Sequence, residues 1–492
     1  MGIYREMITY QRFHGKKMSS FPESELSLKR SNTMRRILFI LLGIFMILSS
    51  CHLCLAENLT SGDFIYTVFS DGTAEIVSYI GSEEEVEIPG ELEGSRVISI
   101  GNSAFSHNKN LTAVTIPESV TVLGSASFAE CINLRSITLP AGLRTISDMA
   151  FQGNVRLESI TLPAGITFIG NNPFDRCDSL SEIKFEAENS FYPVEDGILY
   201  DRQNTALISY PAGKTDKTYT VPDWVTAINL AAFSENPYLE EIILHADLTD
   251  IEENPFCGCT ALKNISISVF NPVYEMYAGS LINIQQRILV AYLWVSGKDH
   301  YSVQNGIRSI GQEAFYKHSE LKTIELPQSL VFIGDAAFAE SGLTSINIPE
   351  NVTSLGNSTF MDCSDLEKVT LPSSLTWIGR NTFSECSSLK SIKFPKMLYS
   401  IGDAAFYHCT ALSELILPDK LQYIGDYAFL ECTGLTTVDF PDRLLSIGRA
   451  AFYGNENMTA KVAPGSLAEK WATQNEVPFT RKNVTYMTEE SV

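Results

Sequence analysis

The chain has 492 residues, of which 45% are hydrophobic and 19% are charged, so it can bury a sizeable core. It carries 36 Lys+Arg against 58 Asp+Glu, a formal net charge of −22. An acidic body without a basic stripe repels phosphate backbones, which excludes nucleic acid as an expected partner.

The N-terminal part of the chain predicts export. Residues 1–33 are polar, and we expect them to be disordered or to reflect an over-extended gene start, with Met34 as the true first residue. Residues 34–56 have a basic start, an apolar run from Ile37 to Leu48, and small residues up to Ala56. This order is typical of a secretory signal that is cleaved after Ala56.

Two alternatives to plain secretion remain open for residues 34–56. Leu48-Ser49-Ser50-Cys51 resembles the bacterial lipobox, in which the cysteine is acylated and holds the protein at a membrane surface. An uncleaved signal anchor is less favoured, because His52 and two serines interrupt the apolar segment. We therefore expect a secreted or cell-surface bacterial protein that meets the membrane only through its signal or a lipid on Cys51.

Residues 57–97 predict an N-terminal cap. The segment 63–81 favours a β-hairpin that turns at Asp71-Gly72, and Val86–Pro89 gives half of the repeat that follows. A cap is needed because a stack of coils exposes apolar faces at its two ends.

Residues 98–462 contain thirteen copies of one unit, marked by a phenylalanine. Most gaps between these phenylalanines are 23 residues, one is 22 and two are 59. The repeat phenylalanines are Phe105, Phe128, Phe151, Phe174, Phe233, Phe256, Phe315, Phe338, Phe360, Phe383, Phe406, Phe429 and Phe452. A fixed period of this length predicts a solenoid of stacked coils.

Each position of the unit has a physical role. The segment 134–140, LRSITLP, alternates as a strand does and ends at a proline that cannot continue a ladder. The glycine of the following Ile-Gly pair is expected where the backbone needs positive φ or close approach. Residues 403–409, DAAFYHC, predict a short helical turn that points Phe406 and Cys409 inward.

Segments 186–221 and 268–303 are insertions that resemble each other. Each predicts a hairpin, such as Ile198–Tyr200 with Ala206–Tyr210, and one extra coil. The second insertion is rich in large aromatic residues, which anchor protein contacts and stack on sugars. We take Tyr274, Tyr277, Tyr292 and Trp294 as candidate ligand contacts, and packing of the insertion's own core as the alternative.

Residues 463–492 predict a C-terminal cap and tail. The segment 465–479 favours a helix that is capped by Ser466, ends near Asn475 and uses Trp471 to cover the last coil.

Cysteines occupy one position of the repeat, three residues after the phenylalanine. The seven are Cys131, Cys177, Cys259, Cys363, Cys386, Cys409 and Cys432. Soft-metal binding or cross-linking between coils would need such a ladder. Because Asn or His stands there in other copies, we expect buried free thiols.

The skeleton IG-x-x-AF-x-x-C-x-x-L-x-x-I-x-LP, the hairpin cap and the GS-x-A-E terminus resemble the BspA-type leucine-rich repeat family, of the 23-residue treponeme-type class. The resemblance covers about residues 63–480. It implies an α/β right-handed leucine-rich-repeat solenoid with one parallel strand and a short helical turn per coil, a hairpin N-cap and a helical C-cap. It also implies a surface protein that takes part in adhesion.

The expected function is protein–protein interaction, with a host or extracellular-matrix protein as the partner and adhesion as its outcome. Carbohydrate binding through the aromatic insertion is the alternative, and a polysaccharide-acting enzyme comes last. Neither a G-x-S-x-G elbow, an H-E-x-x-H helix nor a phosphate-binding glycine loop occurs in the sequence. We accordingly expect no enzyme, no metal and no cofactor, and a monomer.

Overall fold

The structure is a computed structural model that describes residues 57–293 and 298–482. It is a solenoid in which each regular coil contributes two short strands, paired in parallel with those of neighbouring coils. The predicted leucine-rich-repeat solenoid is confirmed, although its content is mostly β. The predicted strand that ends at Leu-Pro is joined by a second, usually two-residue strand that ends before the repeat glycine.

Strands are numbered in chain order. The strands at the Leu-Pro position form the LP ladder: β4 (Glu85–Glu87), β7 (Ala113–Thr115), β9 (Ser136–Thr138), β11 (Ser159–Leu162), β13 (Glu182–Phe185), β17 (Thr218–Thr220), β19 (Glu241–Leu244), β21 (Asn264–Ile267), β25 (His300–Ser302), β27 (Thr323–Glu325), β29 (Ser345–Asn347), β31 (Lys368–Thr370), β33 (Ser391–Ile392), β35 (Glu414–Ile416), β37 (Thr437–Asp439), β39 (Thr459–Val462) and β40 (Phe479–Arg481).

The strands at the Ile-Gly position form the IG ladder: β6 (Ser95–Ile100), β8 (Val122–Leu123), β10 (Thr145–Ile146), β12 (Phe168–Ile169), β16 (Ala206–Ser209), β18 (Ala227–Ile228), β20 (Asp250–Ile251), β24 (Ile288–Tyr292), β26 (Ser309–Ile310), β28 (Phe332–Ile333), β30 (Ser354–Leu355), β32 (Trp377–Ile378), β34 (Ser400–Ile401), β36 (Tyr423–Ile424) and β38 (Ser446–Ile447). The remaining strands belong to the N-terminal cap or to the insertions: β1 (Leu59–Ser61), β2 (Phe64–Val68), β3 (Ala74–Tyr79), β5 (Glu91–Leu92), β14 (Val194–Glu195), β15 (Ile198–Asp201), β22 (Tyr274–Tyr277) and β23 (Ser280–Asn283).

The segment around each repeat phenylalanine is a turn, and the predicted short helical turn is wrong. In residues 403–409, Ala404 and His408 have φ of 50° and 58°, which lies in the left-handed region. The Phe406 N–H donates to the Ala428 carbonyl of the next coil at 2.8 Å. Because this backbone bonds between coils rather than four residues back along the chain, it cannot form an α-helix.

The repeat glycines serve close approach and not positive φ. A Cβ at Gly448 would lie 2.3 Å from the carbonyl carbon of Gly425 in the preceding coil. At Gly334 it would lie 2.6 Å from the backbone nitrogen of Gln312. Neither glycine has positive φ, so the coils stack tightly here because the side chain is missing.

The core is a column of stacked rings flanked by Leu and Ile. The rings of Phe338 and Phe360 have centroids 5.5 Å apart and planes 3° apart, and other neighbouring repeat phenylalanines stack similarly. One core cluster begins at Tyr66, a second at Ile198 and a third at Ile282. The boundaries between these clusters fall at the two insertions.

Both ends of the column are covered. Strands β2 and β3 form the antiparallel hairpin predicted for residues 63–81, and Tyr79 stacks on Phe105 at 5.1 Å. At the other end, helix α1 (Leu467–Gln474) is capped by Ser466, and Trp471 meets Phe452 at 5.3 Å. Along the part of the chain that the structure describes, no helix has the length and apolarity that crossing a bilayer requires.

Candidate binding surfaces

The cysteine column is an internal hydrogen-bonding device. Cys409 Sγ donates to the Phe383 carbonyl of the preceding coil at 3.1 Å. Asn154 Nδ2 makes the same bond to the Phe128 carbonyl at 3.1 Å, which explains why Asn can replace Cys. Burial raises the pKa of the Cys131 thiol to about 12.

The prediction of buried free thiols is confirmed for the seven cysteines of the repeat position, and Cys257 is also buried and free. These residues also contain no cluster of three His, Cys, Asp or Glu side chains that could hold a metal ion. Thiols that remain protonated at neutral pH are poor nucleophiles and poor metal ligands.

Each insertion consists of a hairpin and one extra coil. In the first, β15 pairs antiparallel with β16, and β16 then joins the IG ladder by pairing in parallel with β18. Strand β17 joins the LP ladder through β19. The second insertion repeats this arrangement with β23, β24 and β25. A tyrosine replaces the repeat phenylalanine in each extra coil: Tyr210 lies 5.2 Å from Phe233, and Tyr292 lies 5.2 Å from Phe315.

The four candidate ligand contacts differ in how far the structure exposes them. Tyr274 is buried, and its hydroxyl accepts the Ile251 N–H at 2.7 Å. Tyr292 is also buried, in the ring column. Tyr277, at the hairpin turn, is 45% exposed, and Trp294 lies outside the described residues.

The first insertion makes the same internal contact as Tyr274. There the hydroxyl of Tyr192 accepts the Ile169 N–H at 3.1 Å. Matched bonds in the two copies favour the packing role for Tyr274, and burial in the ring column favours it for Tyr292. Tyr277 is the candidate that the structure leaves accessible.

The inserted coils have shortened turns, so the regular coils on either side bond directly across them. Ser234 Oγ donates to Asp175 Oδ1 at 2.6 Å. Asn254 Nδ2 donates to the Glu313 carbonyl at 2.9 Å. Both pairs are 59 residues apart, which is the distance between the repeat phenylalanines that flank an insertion.

A polar junction, made of Arg176, Glu235, Tyr316, Lys317 and Glu340, joins coils from both sides of the two insertions. Lys317 Nζ lies 2.8 Å from Glu235 Oε1. The Tyr316 hydroxyl donates to Glu340 Oε1 at 2.7 Å and accepts from Arg176 Nη2 at 3.3 Å. The last contact spans 140 residues of sequence. These bonds hold together turns that the shortened coils would otherwise leave apart.

The junction was not found by sequence reasoning, although a signal exists. Arg176, Glu235, Lys317 and Glu340 all stand two residues after a repeat phenylalanine, where φ is positive. Residues at one repeat position form a column, and Arg176 and Lys317 stand out as the arginine and the lysine of a position that is otherwise mostly acidic.

The chemistry of the junction is that of a structural contact. Burial raises the pKa of Tyr316 and that of the adjoining Cys257 well above their ordinary values. Both groups therefore stay protonated at neutral pH and offer neither a nucleophile nor a base. A small cleft adjoins them, lined in part by Asn254, Tyr292 and His318.

The outer face of the LP ladder is the long exposed surface of the solenoid. In each strand the residue that follows the buried aliphatic residue points away from the core, and Ile416 is 74% exposed. These outward-pointing residues include Thr115, Thr138, Thr161, Lys184, Ile243, Ser266, Glu325, Asn347, Thr370, Lys393, Ile416 and Asp439. The face combines small polar, charged and aliphatic side chains along one row, which suits an extended macromolecular partner better than a small ligand.

Comparison with known proteins supplies a family. The profile of the BspA type leucine rich repeat region, in six copies, matches residues 98–216, 214–285, 297–413 and 399–470. These segments cover most of the chain. A comparison with curated proteins gives no match.

Solved structures resemble the chain at low identity. A leucine-rich repeat protein from Eubacterium ventriosum is 22% identical with a TM-score of 0.43, over 81% of this chain and 94% of that one. A leucine rich cell surface protein from Faecalibacterium prausnitzii is 23% identical with a TM-score of 0.36, over 85% and 97%. A leucine-rich repeat protein from Bacteroides ovatus is 24% identical with a TM-score of 0.35, over 87% and 100%. Scores this low do not transfer a function.

Proposed function

Because the chain belongs to the family of BspA-type leucine-rich repeat proteins, we propose that it is an exported surface protein that binds other proteins. Its role is non-enzymatic attachment to a host cell or to neighbouring cells. The observation that carries this proposal is the outer face of the LP ladder, where the residue after the buried aliphatic residue of each strand points towards solvent.

The binding mode follows from the repeat geometry. Neighbouring strands lie about 4.8 Å apart, so these outward-pointing side chains form a row that a partner can follow over many coils. Ile243 and Ile416 are exposed in this row, although their burial would be favourable. An exposed aliphatic side chain on a rigid strand is a suitable anchor for a protein partner, because little conformational entropy is lost on contact.

The charge of the body selects among partners. Residues 57–492 carry 28 Lys+Arg against 55 Asp+Glu, so long-range attraction favours a partner with a basic or neutral surface. Association with a basic partner should slow as salt is added, because screening shortens the range of the field.

The binding proposal is tested with the purified chain against immobilised extracellular-matrix proteins. Ile416→Asp places a charge in the row and should weaken capture at least tenfold. Tyr453→Asp is the matched control, since Tyr453 is also exposed but lies in a turn, away from the LP ladder. Capture that is absent at micromolar concentrations, or that Ile416→Asp leaves unchanged, would contradict the proposal.

Export is proposed on residues 34–56, which lie outside the described part of the chain. Either cleavage releases Glu57 as the mature N-terminus, or acylation of Cys51 anchors the protein. Mass spectrometry of the protein recovered from cells separates the two. A mature chain that still begins at Met1 or Met34 would exclude both.

A further inference from the structure

The C-terminal part of the IG ladder exposes large rings on its outer side. Phe332, Trp377, Tyr399 and Tyr423 are each 39–44% exposed, and we call them the aromatic row. They stand on strands or beside them, so their backbone is fixed by the ladder. Isolated exposed aromatic residues are common on proteins, whereas a row on one rigid surface needs a reason.

Three members of the row, Phe332, Trp377 and Tyr423, are regularly spaced. Trp377 is in register with Ser400, and Ser400 is in register with Tyr423. Phe332 holds the same position two coils before Trp377, with Ser354 between them. An aromatic residue therefore recurs at every second coil, roughly 10 Å apart, because neighbouring strands are about 4.8 Å apart. Ser354 leaves room between Phe332 and Trp377, whereas Tyr399, beside Ser400, adds a further ring next to Tyr423.

The rings are held in place before any ligand binds. Cζ3 of the Trp377 indole lies 3.0 Å from where a Cβ of Gly379 would be, so the indole lies along its own strand over a residue without a side chain. The rings of Tyr399 and Tyr423 have centroids 5.2 Å apart and planes inclined by 57°. Preorganised rings lose little entropy when a ligand stacks on them.

The charges beside the row are already paired within the ladder. Arg380 Nη2 lies 2.8 Å from Asp403 Oδ2. The other oxygen of Asp403 accepts the Asp426 N–H at 2.9 Å, and Asp426 Oδ1 accepts the Arg449 N–H at 2.7 Å. Charge complementarity therefore favours an uncharged occupant.

Uncharged polar side chains alternate with the rings. The hydroxyls of Thr376 and Ser400 and the amide of Gln422 lie on the same strands as the rings or next to them. Flat apolar faces alternating with hydroxyl and amide groups match the two chemistries of a sugar ring, which has C–H faces and a hydroxyl edge.

We propose that the aromatic row binds an extended, uncharged, β-linked polysaccharide, with alternate sugars stacked on Trp377 and Tyr423. In such a chain every second sugar presents the same face, at a repeat similar to two coils of the solenoid. This site is separate from the LP ladder and from the second insertion, and it gives the protein a second class of ligand.

The test uses the purified chain and two neutral β-1,4-linked hexasaccharides, of glucose and of N-acetylglucosamine, followed by calorimetry. At least one hexasaccharide should bind, and the corresponding disaccharide should bind at least tenfold more weakly, because it cannot reach from Trp377 to Tyr423. Trp377→Ala should weaken hexasaccharide binding at least tenfold, and Tyr423→Ala should weaken it less.

The matched control is Phe168→Ala. Phe168 is 50% exposed at the same position of the IG ladder, but it has no aromatic residue at that position two coils away. This variant should bind the hexasaccharide as the unaltered chain does. Circular dichroism checks that every variant is folded.

Three results would overturn the proposal. The first is that neither hexasaccharide binds at millimolar concentration. The second is that Phe168→Ala weakens binding as much as Trp377→Ala does. The third is that a charged polysaccharide or a proline-rich peptide binds the row in preference. None of them bears on Ile416→Asp, which tests protein binding at the LP ladder.

Discussion

Regular coils and inserted coils stack on the same two ladders but close their turns differently. A regular coil has a full turn, in which Phe406 fills the ring column and Cys409 bonds the preceding coil. An inserted coil puts Tyr210 or Tyr292 into the column, and its turn is shortened. The solenoid therefore requires two strands and a ring in every coil, while the turn can vary.

The apolar core is divided where the inserted coils lie. Its clusters divide at the insertions, and the polar junction spans the gap with hydrogen bonds and an ion pair. Regular coils are thus held mainly by apolar packing, and the inserted coils also by polar contacts. Four measurements test this contrast.

The largest effect is expected from alkaline pH. Burial raises the pKa of Cys131, Cys259 and Cys363 in regular coils to about 12, and that of Tyr200 and Tyr274 in the insertions to about 12. Groups whose pKa is raised by folding stabilise the fold below their unfolded pKa, and this stabilisation is lost as pH rises towards the folded value. Each group costs about 1.4 kcal/mol per pH unit within its window.

The window begins near pH 9 for the thiols and near pH 10 for the phenols. The urea midpoint should fall between pH 8 and 9.5, because the thiols of the regular coils ionise on unfolding. It should fall more steeply between pH 9.5 and 11, where the phenols of the insertions also ionise on unfolding. Cys131→Asn is the control, because Asn occupies this position at Asn154 and does not titrate. A midpoint that is constant up to pH 11 would contradict the expectation.

The next effect is the loss of a ring from a regular coil. Phe406→Ala should lower the free energy of unfolding by about 3–5 kcal/mol, because it leaves a cavity between Phe383 and Phe429. Tyr453→Ala, at an exposed turn, should cost less than about 0.5 kcal/mol. Urea denaturation of the two variants measures both, and equal losses would show that the ring column is not the main source of stability.

Much of this contrast could be predicted from the sequence, because a column repeats one residue at one spacing. The phenylalanines, the hairpin of the first insertion and Ser466 as a helix cap were all predictable in this way. The turn was not, since Phe406 and Cys409 three residues apart suit a helical turn as well. Inter-coil hydrogen bonds decide the conformation there, and a single repeat does not reveal them.

The charges of the polar junction share one repeat position, but which of them meet across an insertion could not be predicted. Arg176 and Tyr316 are 140 residues apart, and their contact depends on how much both inserted turns are shortened. The roles of Tyr274 and Tyr292 were also open from the sequence, because an aromatic side chain can serve packing or ligand contact. Burial separates these roles, and it depends on the hairpin's position against the ladder.

A smaller effect is expected from the ion pair of the polar junction. Lys317→Met should lower the free energy of unfolding by about 1–2 kcal/mol, because Glu235, which is mostly buried, loses its partner in a partly screened site. Lys390→Met is the control: its pair with Glu367 is similarly short at 2.7 Å but exposed, so the loss should be about 0–1 kcal/mol. Equal losses for the two variants in urea denaturation would show that the ion pair of the junction stabilises the fold no more than an exposed ion pair does.

The smallest effect should differ between the two inserted coils. The buried hydroxyl of Tyr292 has no hydrogen-bond partner within the described residues, so Tyr292→Phe removes an unsatisfied polar group and should be neutral or stabilising by up to about 1 kcal/mol. The Tyr210 hydroxyl donates to Asp216 Oδ2 at 2.9 Å, so Tyr210→Phe should instead cost about 0.5–1.5 kcal/mol. Urea denaturation of the two single variants provides the comparison, with each insertion as the control for the other. A loss at Tyr292 as large as that at Tyr210 would show that its hydroxyl is satisfied in solution, and that the two insertions pack alike.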